Sequence, residues 1–145
     1  MRKIILFIAC SLDGYIAGEG DGIGWLFTDA DYGYSAFYNS IDAVLVGKRT
    51  YDQAKGFDEY PFKGKKCYVF TRDKSMKKDD NAEFIGEPVA FAKKLLKLSG
   101  KNIWLVGGGE IISLFLNNSL IDEIILSIHP IILGSGIPLF RDINC

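Results

Sequence analysis

Residues 103 to 115 read IWLVGGGEIISLF. An apolar run leads straight into Gly107, Gly108 and Gly109, after which Glu110 and Ile111 open a stretch of helix formers. Glycine admits backbone angles and close approaches that other residues refuse, and three in a row carry a large entropic cost on folding. A strand, a glycine turn and a helix start together describe a place where backbone N–H groups can hold phosphate. They describe equally well a tight turn that binds nothing.

The apolar character ahead of the glycines recurs along the chain. KIILFIAC (3–10), IDAVLVG (41–47), KCYVFT (66–71) and DEIILSIHPIIL (122–133) join NIWLVG (102–107) as five candidate strands. Nearly continuous apolar runs are expected of strands covered on both faces. Helical patterns lie between them. Thr28 and Asp31 resemble a weak capping box before YGYSAFYNS, and Pro88 suits a first helical turn before VAFAKKLLKLSG, with Gly100 as the stop. A third helix is expected from about Glu110 to Asn117. Strands alternating with helices predict an α/β fold with a mostly parallel central sheet, flanking helices and right-handed crossovers. RDKSMKKDDNAE (72–83) reads as a solvated loop.

A chain of 145 residues fits one domain, 1–145, with a sizeable core. Seventeen basic residues against 18 acidic ones leave no global field to attract nucleic acid or an anionic membrane, so neither partner is expected. IILFIAC is too short for a signal-peptide core or a membrane span, and a cytoplasmic location follows as the expectation. Cys10, Cys67 and Cys145 form no ligand spacing and read as ordinary thiols. With His129 the one histidine, no histidine-rich metal site is expected.

In parallel sheets ligands collect beyond the carboxyl ends of the strands, where this chain carries SLDGYIAGEGDGIGW, GKRTYD, TRDKS, GGGE and LGSGIPLF. Gly107 and Gly109 match the first two positions of the Rossmann fingerprint, but residue 112 is isoleucine and the turn follows a late strand, so that reading fails. A P-loop fails too, because no lysine and hydroxyl residue follow.

SLDGYIA, GKRTYD, VGGGEI and ILGSGIPLF, in this order and spacing, resemble the dihydrofolate reductase fold. Within it they are most similar to the reductase domain of riboflavin biosynthesis. The resemblance covers nearly the whole chain. It implies a bound NADPH and a small pterin-like or pyrimidine-like heterocycle reduced by hydride transfer. The N–H groups around Gly107, Gly108, Gly109, Glu110 and Ile111 would take one side of the pyrophosphate, with the helix dipole favouring the charge. Arg49 and Thr50 would take the other side. Lys48, Thr71 and Arg72 match the family's positions for the 2′-phosphate, where arginine can offer a bidentate fork. Exposed basic residues at loop starts are the plainer account of the same cations. Ala9 and Ile16 would meet the nicotinamide through backbone groups. Asp13 and Gly14 would form the turn before a glycine-rich loop that closes the site, a segment also readable as simple surface loop.

Reduction of a C=N or C=O bond also needs a proton. The resemblance calls for a carboxylate on the first helix. Asp31 stands 16 residues before Gly47, the right separation, while counting forward from Trp25 falls one residue short and brings in Asp29 as the alternative. Either could simply cap the helix, or an ordered water could donate instead. Trp25, Tyr34, Phe37 and Tyr38 could line a flat pocket, though helical spacing also describes a core stripe. Ser127 occupies a strand position where the family has a hydroxyl near substrate; a satisfied core serine is the other reading. His129, beside Pro130, reads as structural.

Two features depart from the family. The zinc motifs of the riboflavin deaminase are missing, which excludes deamination. The chain also stops at Cys145, where family members usually continue into a final strand pair, so ILSIHPII is expected to form a sheet edge that another copy covers in a homodimer. Three functional classes stay open: the reductase, a non-catalytic nucleotide-binding module on the same fold, and an interaction protein, which would leave the glycine sites unexplained.

Overall fold

A computed structural model describes residues 1–19, 22–26 and 30–144. Its elements run β1 (Ile4–Ser11), β2 (Tyr15–Ala17), α1 (Tyr34–Asn39), β3 (Ile41–Gly47), α2 (Lys48–Lys55), β4 (Lys66–Phe70), β5 (Ala82–Ile85), α3 (Pro88–Lys97), β6 (Asn102–Gly107), α4 (Gly109–Asn117), β7 (Glu123–His129) and β8 (Ile137–Pro138). Six strands form one sheet in the order β5-β4-β3-β6-β1-β7, and every neighbouring pair in it is parallel. β2 and β8 make a separate antiparallel ribbon.

The apolar strands are buried on both faces for the reason their sequences suggest. On one face Ile4, Leu6, Leu45, Ile103 and Leu105 pack under Ala92 and Leu95 of α3 and Ile112 and Phe115 of α4. On the other, Ile5, Val44, Val46, Val69 and Trp104 pack against Phe37 of α1 and Tyr51 and Ala54 of α2. Alternate residues of each strand feed alternate cores, so no position in the middle of the sheet can be polar. At the amino end of the sheet the buried Arg2 guanidinium meets Asp42 at 2.5 Å and donates to the carbonyls of Lys101 at 2.7 Å and Leu95 at 3.2 Å. All three partners lie on segments distant in sequence, so one side chain ties β3, α3 and the turn before β6 together.

The strands over 41–47 and 102–107 and the α/β class agree with the sequence reading. Several details differ. GKRTYD opens a helix, α2, where a loop segment was expected, because the tyrosine and alanine of KRTYDQAK face the core while its charges face water. Ala82 and Glu83 belong to a strand, β5, and not to the charged loop, because AEFI pairs with the outer edge of β4. β7 ends at His129, seven residues long, since Pro130 cannot continue the ladder. α1 starts at Tyr34 with Gly33 as its cap; Thr28 of the expected capping box, like Asp29, lies outside the described residues.

β7 forms one edge of the sheet, as expected, and Ile124, Ile125, Leu126 and Ile128 are all exposed on it. Among the described residues no helix is long and apolar enough to cross a membrane, and no His, Cys, Asp and Glu cluster could hold a metal ion.

Candidate active site

Because the strands are parallel, Ser11, Gly47, Phe70, Gly107 and His129 end on the same side of the sheet. β3 and β6 are neighbours there, with Val46 in register with Gly107. The helices that follow them, α2 and α4, therefore begin side by side. Gly47 caps α2 and Gly108 caps α4, and neither helix has a side-chain cap. A Cβ placed on Gly108 would sit 3.1 Å from the Thr50 hydroxyl, and one on Gly47 would sit 3.5 Å from the Gly108 nitrogen. Gly107 has φ +123°, which excludes ordinary L residues, and the Gly107–Gly108 peptide is cis. Two positive helix ends thus share one small concavity that any larger side chain would fill.

The structure brings together most of the residues expected at a cofactor groove. Gly108, Gly109, Glu110 and Ile111 open α4, while Lys48, Arg49 and Thr50 open α2. Gly47 pairs with Phe70, so Lys48 leaves the sheet beside Thr71 and Arg72. Arg72 reaches across to Glu110 and pairs with its carboxylate, both groups well exposed. Lys48 bonds Asp52 at 2.5 Å. Both cations expected near a 2′-phosphate are therefore held by acidic neighbours. Exposed pairs of this kind contribute about 0–1 kcal/mol, so a phosphate can displace the carboxylates at small cost. The Thr71 hydroxyl accepts the Asp73 N–H at 3.1 Å.

Across the sheet, Ala9 of β1 is in register with Ser127 of β7, and Ile16 lies in β2, packed against the core under α4. Ser127 and His129 share the face turned toward α1. His129 is buried; its Nδ1 stands 3.4 Å from the Ser127 carbonyl, and its ring meets Trp25 edge-on at 5.5 Å. Tyr32, which the sequence reading passed over, approaches the same imidazole at 6.4 Å. Trp25 and Ser127 thus border one region. Tyr34 lies deeper, half-buried, against Phe7 at 6.1 Å, Tyr38 at 5.6 Å and Trp104 at 5.8 Å.

Asp31 is exposed just ahead of α1. Its carboxylate accepts the Ser35 hydroxyl at 2.6 Å and the Ser35 N–H at 3.1 Å. The Ser35 hydroxyl, and then the Ser35 N–H, hold the Asp31 carboxyl below its usual range, so the group is an anion at neutral pH. Asp13 is likewise depressed, first by the Ser11 hydroxyl and then by backbone N–H groups of Gly134 and Leu133. The sequence expectation gave Asp13 only a turn. A depression of about 460 Å³ beside Cys10, Leu126, Ile128 and Phe140 lies on the α4 face of β1 and β7, on the side of the sheet away from Ser127 and His129.

The model of the RibD C-terminal domain matches residues 62–145, more than half of the chain. This chain belongs to that family. An uncharacterized Bacillus subtilis protein, YwjB, is 42% identical over 148 residues, spanning 99% of this chain and 85% of its own length. A Caenorhabditis elegans protein named "Putative dihydrofolate reductase" is 30% identical over 137 residues, 88% of this chain and 71% of its own. Among solved structures, a Shewanella protein named "Putative riboflavin biosynthesis protein" superposes with a TM-score of 0.86 at 29% identity, covering 99% of this chain and 86% of the other. The family, with its dihydrofolate reductase-like fold, is the one the four sequence motifs resemble.

Proposed function

We propose that this member of the RibD C-terminal domain family is an NADPH-dependent reductase that delivers hydride to a small pterin-like or pyrimidine-like heterocycle. The observation that carries the proposal is the pair of glycine-capped helix starts, α2 and α4, abutting at the carboxyl ends of β3 and β6. Such a pair supplies backbone donors and helix dipoles aimed at one point, which suits a pyrophosphate. Gly107, Gly108, Gly109, Glu110 and Ile111 would hold one side and Arg49 and Thr50 the other. Lys48, Thr71 and Arg72 would receive the 2′-phosphate, and Ala9 and Ile16 would border the nicotinamide. The bound cofactor supplies hydride; the protein orients the acceptor and manages its proton.

Trp25, Tyr34 and Ser127 are proposed to bind the heterocycle, with His129 supporting Trp25. Asp31 is proposed as the catalytic carboxylate. Held as an anion, it would accept an N–H from the substrate and orient the water that gives up the proton. The proposal places this function on one domain and in the cytoplasm, in keeping with the buried free thiols Cys10 and Cys67. It also includes a homodimer that covers the open β7 edge; sedimentation that stays monomeric at every concentration would remove that part.

Calorimetry with NADPH and NADH tests the cofactor, tighter binding of NADPH being expected. Oxidation of bound NADPH by one member of a panel of pterins and aminopyrimidines tests the reaction. In that assay Asp31→Asn should lower the rate of hydride transfer at every pH, and an unaltered rate across pH removes Asp31 from catalysis. Binding of NADPH without turnover of any acceptor would favour the alternative, a non-catalytic nucleotide-binding module.

A further inference from the structure

We infer that Asp13 is a positioning residue: its carboxylate ties the connector between β7 and β8 to the SLDG turn and so sets the nicotinamide end of the groove. The inference rests on the cofactor reading above and adds to it a residue that touches neither cofactor nor substrate.

The buried Ser11 hydroxyl donates to Asp13 Oδ1 at 2.6 Å and accepts the Tyr15 N–H at 2.9 Å. The same carboxylate accepts the Leu133 N–H on Oδ1 at 3.1 Å and the Gly134 N–H on Oδ2 at 2.8 Å. Three donors from two segments about 120 residues apart therefore converge on one anion. Charge-assisted bonds of this kind are stronger than neutral ones.

From this tie the chain runs back along β2. Gly136 has φ +136°, and a Cβ there would lie 2.2 Å from the Ala17 carbonyl oxygen, so the two backbones are in direct contact. Ile137 and Pro138 pair with Ala17 and Tyr15, and the Leu139 N–H donates to the Gly14 carbonyl at 2.8 Å. The Pro138 carbonyl then comes within 3.4 Å of where a Gly109 Cβ would be, and Ser113 donates to the Arg141 carbonyl at 2.5 Å. Residues 133 to 141 thus span from the SLDG turn to the start of α4. β2, which carries Ile16, has three residues and, among the described residues, β8 alone as its sheet partner. A two-stranded ribbon this short does not hold itself in water. Its place depends on the packing of Ile16, Ala17 and Leu139 and on the tie at Asp13, which fixes the end of the ribbon next to the SLDG turn.

The test compares the wild type with Asp13→Ala and Asp13→Asn. Asn retains one acceptor oxygen but turns N–H groups toward the Gly134 side. In the ligand-free protein, amide exchange at Tyr15, Leu133, Gly134 and Leu139 should quicken in Asp13→Ala, while exchange in β3 and β4 stays as in the wild type. NADPH affinity should fall about tenfold, as for loss of a bond to a charged group. Affinity for adenosine 2′,5′-bisphosphate, which lacks the nicotinamide half, should not move, and Asp13→Asn should lie between wild type and alanine. Unchanged exchange, unchanged NADPH affinity, or equal losses for both ligands would each overturn the inference. If the wild type bound neither ligand while exchange behaved as expected, the groove reading would be the part at fault, and the role of Asp13 would fall with it.

Discussion

Replacing Gly108 by alanine puts one methyl group into the concavity between the two helix starts. The Gly108 backbone, at φ −82° and ψ −163°, is extended and open to any residue. The new Cβ would stand 3.1 Å from Thr50 Oγ1, so the hydroxyl must give by a few tenths of an ångström. That cost is offset by the lower entropy of the unfolded alanine chain, roughly 0.4–1 kcal/mol, and the melting temperature should stay within a few degrees of wild type. The effect on a bound pyrophosphate is larger. A methyl over the α4 start keeps phosphate oxygens from reaching the Gly109 and Glu110 N–H groups, and each charged hydrogen bond lost costs about 1.5–3 kcal/mol. NADPH should therefore bind ~10 to 100 times more weakly to Gly108→Ala, and more weakly still to Gly108→Val. Fluorescence titration of NADPH, run beside thermal melts of the same samples, measures both quantities. A variant that melts like wild type and binds NADPH within twofold of it would refute the phosphate cradle.

Other perturbations separate the parts of the molecule. Arg72→Ala should weaken NADPH about tenfold and leave NADH nearly unaffected, and Glu110→Gln, which removes the competing carboxylate, should tighten NADPH by no more than about fivefold; equal effects on both cofactors would displace Arg72 from the 2′-phosphate. Asp42→Ala leaves the buried Arg2 guanidinium with carbonyl partners alone and should cost about 2–3 kcal/mol in urea unfolding, with no change in NADPH affinity. Burial pushes the Cys67 thiol up to about 11 from 9.0, so the folded state keeps a proton that the unfolded state releases; stability present below pH 9 should fall by roughly 2 kcal/mol as pH rises to 11. A urea midpoint that is flat over that window would contradict it, and Cys67→Ala should lose that part of the slope.

What the sequence made legible follows from where the information resides. Val44, Val46, Leu105 and Ile103 announce buried strands because both faces of each strand are apolar, and no tertiary detail is needed to see it. The edge strands carry less. AEFI of β5 follows a charged loop and alternates buried with exposed residues, so it reads as the tail of that loop until β4 is there to pair with it. The nearness of GKRT to GGGE was expected only through the family resemblance: TRDKS stands between them in the chain, and motif order alone does not make β3 and β6 neighbours. The engagement of Arg72 by Glu110 and of Asp13 by Gly134 was not, because these pairs join segments whose distance depends on the whole topology. Asp31 lies between these cases. The i to i+4 spacing to Ser35 is visible in the chain, but only the folded backbone ahead of α1 sets the serine hydroxyl on that carboxylate.

The sheet order carries one more consequence. β1 comes before the other strands of this sheet along the chain, yet it lies between β6 and β7, with Ile4 beside Ile103 and Leu6 beside Ile124. During synthesis β3, β4 and β5 can meet soon after they leave the ribosome, since they are neighbours in the sheet and follow one another along the chain. IILFIACS instead waits, without its partners, for nearly the whole chain to be translated. At about 5–20 residues per second that wait lasts several seconds, long compared with the collapse of a small chain. The most apolar segment of the protein is thus the one left longest without the strands that cover it. The centre of the sheet, where β1 joins β6, can close only after β6 has been made.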